Sequence, residues 1–146
     1  MLAPTSAAIA ANTVQITKLT DVSFGTISTA ADSVRGQNVC ISSQTPTKGY
    51  NVRASGSGAS NAFTLANGTK TLAYEVQWNS TSGQTTGTGL SPNIALTGLI
   101  SSATKPTCSS GPATTASLIV VVRSVAASTA SAGTYNGTLT LVFAPE

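Results

Sequence analysis

Four carboxylates, Asp21, Asp32, Glu75 and Glu146, are the only acidic side chains of this chain, and histidine is absent. General acid–base catalysis needs two such groups to converge on one bond, but Asp21 and Asp32 lie near turns, where Asp commonly bonds to the backbone. Ser and Thr are plentiful, yet there is no histidine base and no G-x-S-x-G nucleophile elbow. The sequence therefore predicts a protein that is not an enzyme.

Two cysteines, Cys40 and Cys108, are the other reactive side chains. In an exported protein an even cysteine count suggests a disulfide, and a bond closing this loop would stabilise the fold by about 4 kcal/mol in the chain-entropy account. In a cytosolic protein the same residues would be unpaired buried thiols. Two cysteines without histidine cannot complete a tetrahedral zinc site, so we predict no metal and no cofactor.

Two aromatic residues, Tyr74 and Trp78, share one face of a predicted strand with Leu72 and Val76. Exposed, they would form a stacking platform for sugars, and the protein would be a secreted, lectin-like carbohydrate-binding module. Buried, they are core residues of a β-sheet. The apolar neighbours of the same parity favour the core interpretation.

Charge and composition exclude other classes. Charged residues make up only 8% of the chain, and the net charge is +3. The basic residues do not cluster, so the stripe typical of nucleic-acid binding is missing. No run of 18 apolar residues exists, so we predict no membrane span. Residues 1–11 contain a run of small residues that resembles the end of a signal peptide, and we interpret them as a signal remnant or an N-terminal arm.

The remaining residues, 12–146, predict a single all-β domain. Apolar and polar residues alternate with a period of two in several short segments separated by turns, which is typical of a β-sandwich. Asn67-Gly68 predicts a hairpin turn, and the continuous apolar run 117–125 predicts a central strand. The alternating segments are 13–27 with a break near Lys18, 36–42, 49–55, 61–79, 94–96 and 133–146.

The last predicted strand leaves the sandwich one strand short. Tyr135, Leu139, Leu141 and Phe143 lie on one face of it, and an immunoglobulin-like sandwich needs one more strand beside it. The sequence therefore predicts an incomplete sandwich with an apolar groove, which these four residues line on one side. The other wall would come from the 117–125 strand or from the first-strand region. A strand from another chain could fill the groove.

The order of these segments resembles bacterial chaperone–usher pilins of the archaic, spore-coat-protein-U-like type, or the pilin domain of a related tip subunit. The resemblance covers about residues 20–146. It rests on Phe24-Gly25 after the first strand, the single cysteine pair and the closing strand GTYNGTLTL.

The resemblance implies a structural subunit of a surface fibre, exported through the periplasm, with a role in adhesion or biofilm formation. Its partners would be a periplasmic chaperone, an outer-membrane usher and other pilus subunits, which exchange strands by donor-strand complementation. Residues 1–12 alternate poorly and make a weak donor. Val14–Leu19 would either act as the donor strand or fold back and complete its own sandwich.

Overall fold

A computed structural model describes residues 12–146, so the predicted signal remnant or arm, residues 1–11, lies outside the described part. Strands dominate, and the α-helix α1, Ser124–Thr129, is short. The strands β1 to β10, in chain order, are Val14–Thr17, Ser33–Ser43, Gly49–Gly56, Thr64–Asn67, Lys70–Ala73, Glu75–Asn79, Thr88–Gly89, Ala95–Ile100, Ala116–Val122 and Leu139–Pro145.

Two main sheets form the sandwich. The larger has the strand order β1-β2-β9-β6-β7, the smaller has the order β10-β3-β8, and β4-β5 is a separate hairpin. Each pairing between neighbouring strands is antiparallel. The predicted all-β, immunoglobulin-like sandwich is therefore confirmed. Within residues 12–146, no helix has the length and apolar character needed to cross a membrane.

Strand alternation places the core residues as the sequence predicts. In β3, Tyr50, Val52 and Ala54 are fully buried, whereas Arg53 between them is exposed. In the second half of β2, Val39 and Ile41 join the main core, whereas Cys40 packs on the other face with Ala103 and Cys108. A period of two puts successive side chains on opposite faces of a sheet, which explains both patterns.

Strand β9 is buried on both faces. Leu118 and Val120 face the main core, and Ile119, which points the other way, is also fully buried. The loop 80–87 between β6 and β7 crosses β9 on this outer face, where the Gln84 N–H donates to the Ser117 hydroxyl at 3.0 Å. The loop reaches β2, where the Gly83 N–H donates to the Asn38 side chain at 2.8 Å. A central strand with both faces covered explains the continuous apolar run.

The β4-β5 turn differs by one residue from the prediction. Asn67 pairs with Lys70, so the two central residues are Gly68 and Thr69 rather than Asn67 and Gly68. Gly68 has φ 61°, a conformation that glycine adopts without steric cost. The prediction of the hairpin is confirmed, and only the register of the turn was wrong.

The first strand is shorter than predicted. Strand β1 ends at Thr17, and the expected continuation through Val22 and Phe24 is not a strand. Lys18 has φ 67°, which turns the chain away from β2.

The two cysteines form a disulfide. Cys40 and Cys108 are bonded, with their Cα atoms 6.0 Å apart. The bond attaches the loop 101–115 to the second half of β2. This loop also satisfies the backbone of β2, because the Thr115 hydroxyl receives the Ile41 N–H and the Ser101 hydroxyl donates to the Ile41 carbonyl.

Candidate functional site

Strand β10 has one open edge. It pairs with β3 on one side, and among the described residues no strand pairs with its other side. The Glu146 N–H donates to the Gly49 carbonyl at 3.0 Å, and bonded and non-bonded positions alternate along an antiparallel ladder. The backbone groups of Leu139, Leu141 and Phe143 therefore point away from β3, toward the open edge.

Within residues 12–146, strand β1 likewise has no partner strand on the side away from β2. The Gln44 N–H donates to the Thr13 carbonyl at 2.9 Å, so Val14 and Ile16 occupy the alternate, non-bonded positions of the β1-β2 ladder. The backbone of Ile41, which lies opposite Ile16, agrees with this. Its N–H and C=O groups bond to the Thr115 and Ser101 side chains, so they point away from β1. The N–H and C=O groups of Val14 and Ile16 thus point outward from β2.

Half-buried apolar side chains lie beside these two open edges, and we call this candidate acceptor surface the strand groove. Its walls are half-buried apolar side chains that pack against the main core but remain partly open to solvent. The β10 wall consists of Leu139, Leu141 and Phe143. The other wall consists of Val14, Ile16, Phe24 and Ile27. Of the two predicted sources for this second wall, the first-strand region supplies it, since β9 lies at the centre of the larger sheet.

An aromatic cluster forms the floor at one end of the groove. The Phe143 ring lies 5.3 Å from the Trp78 ring and 6.5 Å from the Tyr50 ring, between centroids. The Trp78 indole N–H donates to the Tyr50 hydroxyl at 3.0 Å. Burial raises the pKa of Tyr50 to about 12 because a phenolate is poorly solvated there. This end of the groove is therefore uncharged and apolar.

The sequence placed Tyr135 in the groove, and in the structure its half-buried side chain packs against the main core although it lies outside the β10 ladder. Tyr135 lies before β10, its hydroxyl donates to the Ser131 carbonyl at 2.9 Å, and the next residue, Asn136, forms a bridge to Ala66 of β4. The chain thus follows the β4-β5 hairpin before β10 begins at Leu139. Alternation alone could not show where the ladder to β3 starts.

Tyr74 and Trp78 do not form an exposed platform. Trp78 is 1% exposed and Tyr74 is 7% exposed. The Tyr74 ring packs 5.7 Å from the Phe63 ring, and burial raises the pKa of Tyr74. Their stacking faces are covered by the protein itself, so these two residues are core residues, which was the favoured interpretation.

The opposite side of the sandwich is protected. There the edge strand β7 has only two residues, and the edge strand β8 carries an irregularity in its pairing with β3. Near that irregularity Gly98 has φ 72° and its N–H donates to the Glu146 carboxylate at 2.8 Å. Short strands and bulges are common devices against edge-to-edge pairing. On the groove side, β1 is also short, with four residues, but the β10 ladder with β3 runs over seven residues without a bulge.

The carboxylates serve structural contacts. Asp32 and Glu75 both bind the Arg123 guanidinium, at 2.8 Å and 2.6 Å. The Ser124 N–H, then the Arg123 side chain, lower the pKa of Asp32, and Arg123 lowers the pKa of Glu75. Glu146 accepts from Gly98 and from the Asn51 amide. Through these contacts Asp32, Glu75 and Glu146 link different elements of the fold.

Comparisons with solved structures find chains of similar fold. A chain of the chaperone–tip adhesin complex of CFA/I fimbriae biogenesis gives a TM-score of 0.58 at 16% sequence identity, over 92% of this chain and 41% of that chain. A chain of the CsuC–CsuE chaperone–tip adhesion subunit pre-assembly complex, from archaic chaperone–usher Csu pili of Acinetobacter baumannii, gives 0.48 at 22% identity, over 91% and 39%. No protein-family model and no curated protein matches the chain.

These likenesses concern the fold. The chain spans about two fifths of the length of each matched chain. The resemblance to chaperone–usher pilus subunits that the sequence indicates is confirmed at this level, since the sandwich matches a chain from a fimbrial chaperone–adhesin complex over nearly its whole length.

Proposed function

We propose that this protein is a structural subunit of a chaperone–usher type surface fibre, without enzymatic activity, and that it accepts a strand from another chain in the strand groove. The single observation that carries the proposal is the pair of facing open edges, β1 on one sheet and β10 on the other. Among the described residues, both edges present backbone groups without a ladder partner at the same residues that line the groove with apolar side chains.

The geometry suits an added β-strand. An incoming strand would bond through its backbone to the outward-pointing N–H and C=O groups of Leu139, Leu141 and Phe143. Every second side chain of that strand would enter the groove, because successive side chains of a strand alternate in direction. Each buried Val, Leu or Ile would contribute roughly 1.5–3 kcal/mol. Since a domain is stable by only about 5–15 kcal/mol, an added strand would change its stability substantially.

The chain does not fill the groove with its own first strand. In the structure Val14–Thr17 pairs with β2 in the larger sheet, and it makes no ladder with β10. Within the described residues the β10 edge is thus left without a partner strand, which supports a donor strand for that edge. We propose that Val14–Leu19 belongs to the acceptor in this conformation, and its use as a donor to another subunit would require it to leave β2.

The partners and location follow from the same proposal. A periplasmic chaperone would supply the strand first, and a neighbouring subunit would replace it at an outer-membrane usher. The subunit would then act at the cell surface in adhesion or biofilm formation. The Cys40–Cys108 disulfide supports passage through an oxidising compartment such as the periplasm.

A designed peptide tests the proposal on the full chain. The probe has roughly ten residues, with Val at alternate positions and Thr or Ser between them, and the control peptide has the same composition with its valines adjacent. We expect the alternating peptide to raise the melting temperature and to protect the amides of Leu139, Leu141 and Phe143 from hydrogen exchange. The control peptide should do neither.

Two substitutions on β10 locate the peptide. Leu141→Thr removes apolar surface from the groove and should weaken binding about tenfold, the equivalent of about 1.4 kcal/mol. Val142→Thr is the matched control, because Val142 is 45% exposed on the outer face, and it should leave affinity unchanged. A monomer with a high cooperative melting temperature that neither peptide changes would contradict the proposal.

A further inference from the structure

The segment between β1 and β2 is attached to the sandwich in an unusual way. We call residues 19–31 the strap. Within the described part of the chain, no strap residue takes part in a backbone–backbone hydrogen bond. Since buried or sheet-adjacent backbone is normally paired through ladders, the strap depends on other contacts for its position.

Both ends of the strap are fixed. At its start the Lys18 ammonium donates to the carbonyl of Ala113, in the disulfide-bonded loop. At its end the Asp32 carboxylate accepts the Ser124 N–H at 2.8 Å and pairs with Arg123 at 2.8 Å. The strap therefore has two anchored ends and a span between them.

Side chains of β2 hold the middle of the span. The Gln37 amide accepts the Thr20 N–H at 2.8 Å and donates to the Thr20 carbonyl at 2.9 Å. The Arg35 guanidinium donates to the carbonyls of Ser23 and Phe24 at 3.3 Å and 3.2 Å, and it lies 5.8 Å from the centre of the Phe24 ring. These bonds lie at exposed positions, where each contributes little net stability.

Gln37 and Arg35 occupy positions where a sandwich normally has apolar residues. They share the inward parity of Val39 and Ile41, and their ladder partners on β9, Leu118 and Val120, belong to the core. Arg35 is exposed and Gln37 is half-buried, and both are hydrogen-bonded, so they carry little desolvation cost at these positions. Here they hold the strap.

A small cavity separates the strap from the edge of β2. Its volume is about 160 Å³, and its lining consists of residues 20–23 and 35–37. By the alternation of the β1-β2 ladder, the backbone of Gly36 points toward this cavity. The strap thus lies beside β2 without pairing to it.

The strap also supplies part of the second wall of the strand groove. Phe24 and Ile27 pack against the main core from the strap, whereas Val22 in the same segment is 37% exposed. Two apolar strap residues therefore border the place where, on the proposed function, an incoming strand would insert.

We propose that the strap is a movable section of the second wall, which opens as a unit between its two anchors and moves Phe24 and Ile27 aside when a strand enters. This inference rests on the proposed function for its trigger, but the opening itself is a property of the free chain. Opening breaks exposed side-chain bonds from Gln37, Arg35 and Ser33 and removes Phe24 and Ile27 from their packing against the core, whereas every strand ladder stays intact.

An introduced thiol reports the opening. Both native cysteines are bonded to each other, so Ile27→Cys adds a lone thiol whose alkylation by iodoacetamide measures exposure of the strap. We expect it to react more slowly than Val22→Cys, and Gln37→Leu should increase its rate about three- to tenfold by removing the Thr20 contacts. Gln77→Leu is the matched control, because Gln77 holds a different loop through the Gly87 N–H, and it should leave the rate unchanged.

A third reporter excludes general unfolding. Ala116 on β9 is fully buried, so Ala116→Cys reacts only when the sandwich itself opens. Gln37→Leu should leave its alkylation rate unchanged. Equal acceleration at Ile27→Cys and Ala116→Cys would overturn the proposal, because the strap would then open only together with the domain.

The alternating-valine peptide provides the second arm. Its binding should raise the alkylation rate of Ile27→Cys to that of Val22→Cys, and a lowered rate would overturn the proposal because the strap would then close over the strand. If the peptide fails to bind, the strand-accepting function fails. The free-chain rates of Ile27→Cys and Ala116→Cys still decide independently whether the strap opens alone.

Discussion

The indole N–H of Trp78 on β6 donates to the hydroxyl of Tyr50 on β3 at 3.0 Å, and both side chains are buried. This bond joins the two sheets through the core, because β6 belongs to the larger sheet and β3 to the smaller one. The two rings are also perpendicular, 6.4 Å apart between centroids, an arrangement favoured between aromatic residues.

Tyr50→Phe tests this bond. It keeps the ring and leaves the Trp78 N–H without its partner, so we expect it to lower the free energy of unfolding by about 1–3 kcal/mol. Chemical denaturation followed by tryptophan fluorescence measures the change. Tyr135→Phe is the matched control, since the Tyr135 hydroxyl bonds at an exposed site, and its effect should be within about 0.5 kcal/mol. Equal effects would contradict the importance of the bond.

Phe143 should be the most costly residue of the β10 wall to truncate. Phe143→Ala removes the ring that contacts Tyr50 and Trp78. We expect it to lower the free energy of unfolding of the free chain by about 2–4 kcal/mol. This is the lower part of the range for buried phenylalanines, because Phe143 is only half-buried. Val142→Ala, on the outer face of the same strand, should cost less than about 1 kcal/mol. Urea titration of both variants decides this, and a reversed order would show that β10 faces the other way.

The disulfide should contribute strongly to stability. It closes a loop with a sequence separation of 68, so the double variant Cys40→Ala with Cys108→Ala should lose about 4 kcal/mol. Intact mass after alkylation, with and without reductant, verifies the bond, and two reactive thiols in non-reduced protein would refute it. Ala103→Ser, beside the bond, keeps the disulfide and serves as the control for local repacking.

The Arg123 cluster should make stability sensitive to acid. The pKa values of Asp32 and Glu75 are lowered from 3.8 and 4.5 in the folded state, so their contribution is fully present above those values. This stabilising contribution is lost as the pH falls through the lowered pKa values of the folded state. The reason is that the unfolded chain, whose carboxyl pKa values are higher, binds protons first. The urea midpoint of the wild type should therefore fall more steeply below about pH 4.5 than that of Asp32→Asn. Asp21 takes no part in the ion pairs of the described residues. The variant Asp21→Asn should therefore behave like the wild type.

The sequence predicted the pattern of the groove better than its boundaries. Leu139, Leu141 and Phe143 alternate, and alternation alone places them on one face, as the structure shows. The second wall consists of Val14, Ile16, Phe24 and Ile27, which lie opposite β10. Their position depends on the path that the chain takes between β1 and β2. Lys18 has φ 67°, a conformation that lysine does not strongly favour. Because no residue type indicated this turn, the periodicity extended the predicted first strand too far.

Local sequence determined which side chains face inward, because alternation in a strand is a property of the backbone itself. Tyr50, Val52 and Ala54 are buried for this reason, and Cys40 lies opposite Val39 and Ile41. Tertiary structure alone decided which edges are paired, that the loop 80–87 covers Ile119, and that Tyr135 stays outside β10. Pairing at an edge depends on segments far away in sequence, whose hydrogen-bonding partners no local pattern specifies. The open edges of β1 and β10, and with them the strand groove, exist only at that level.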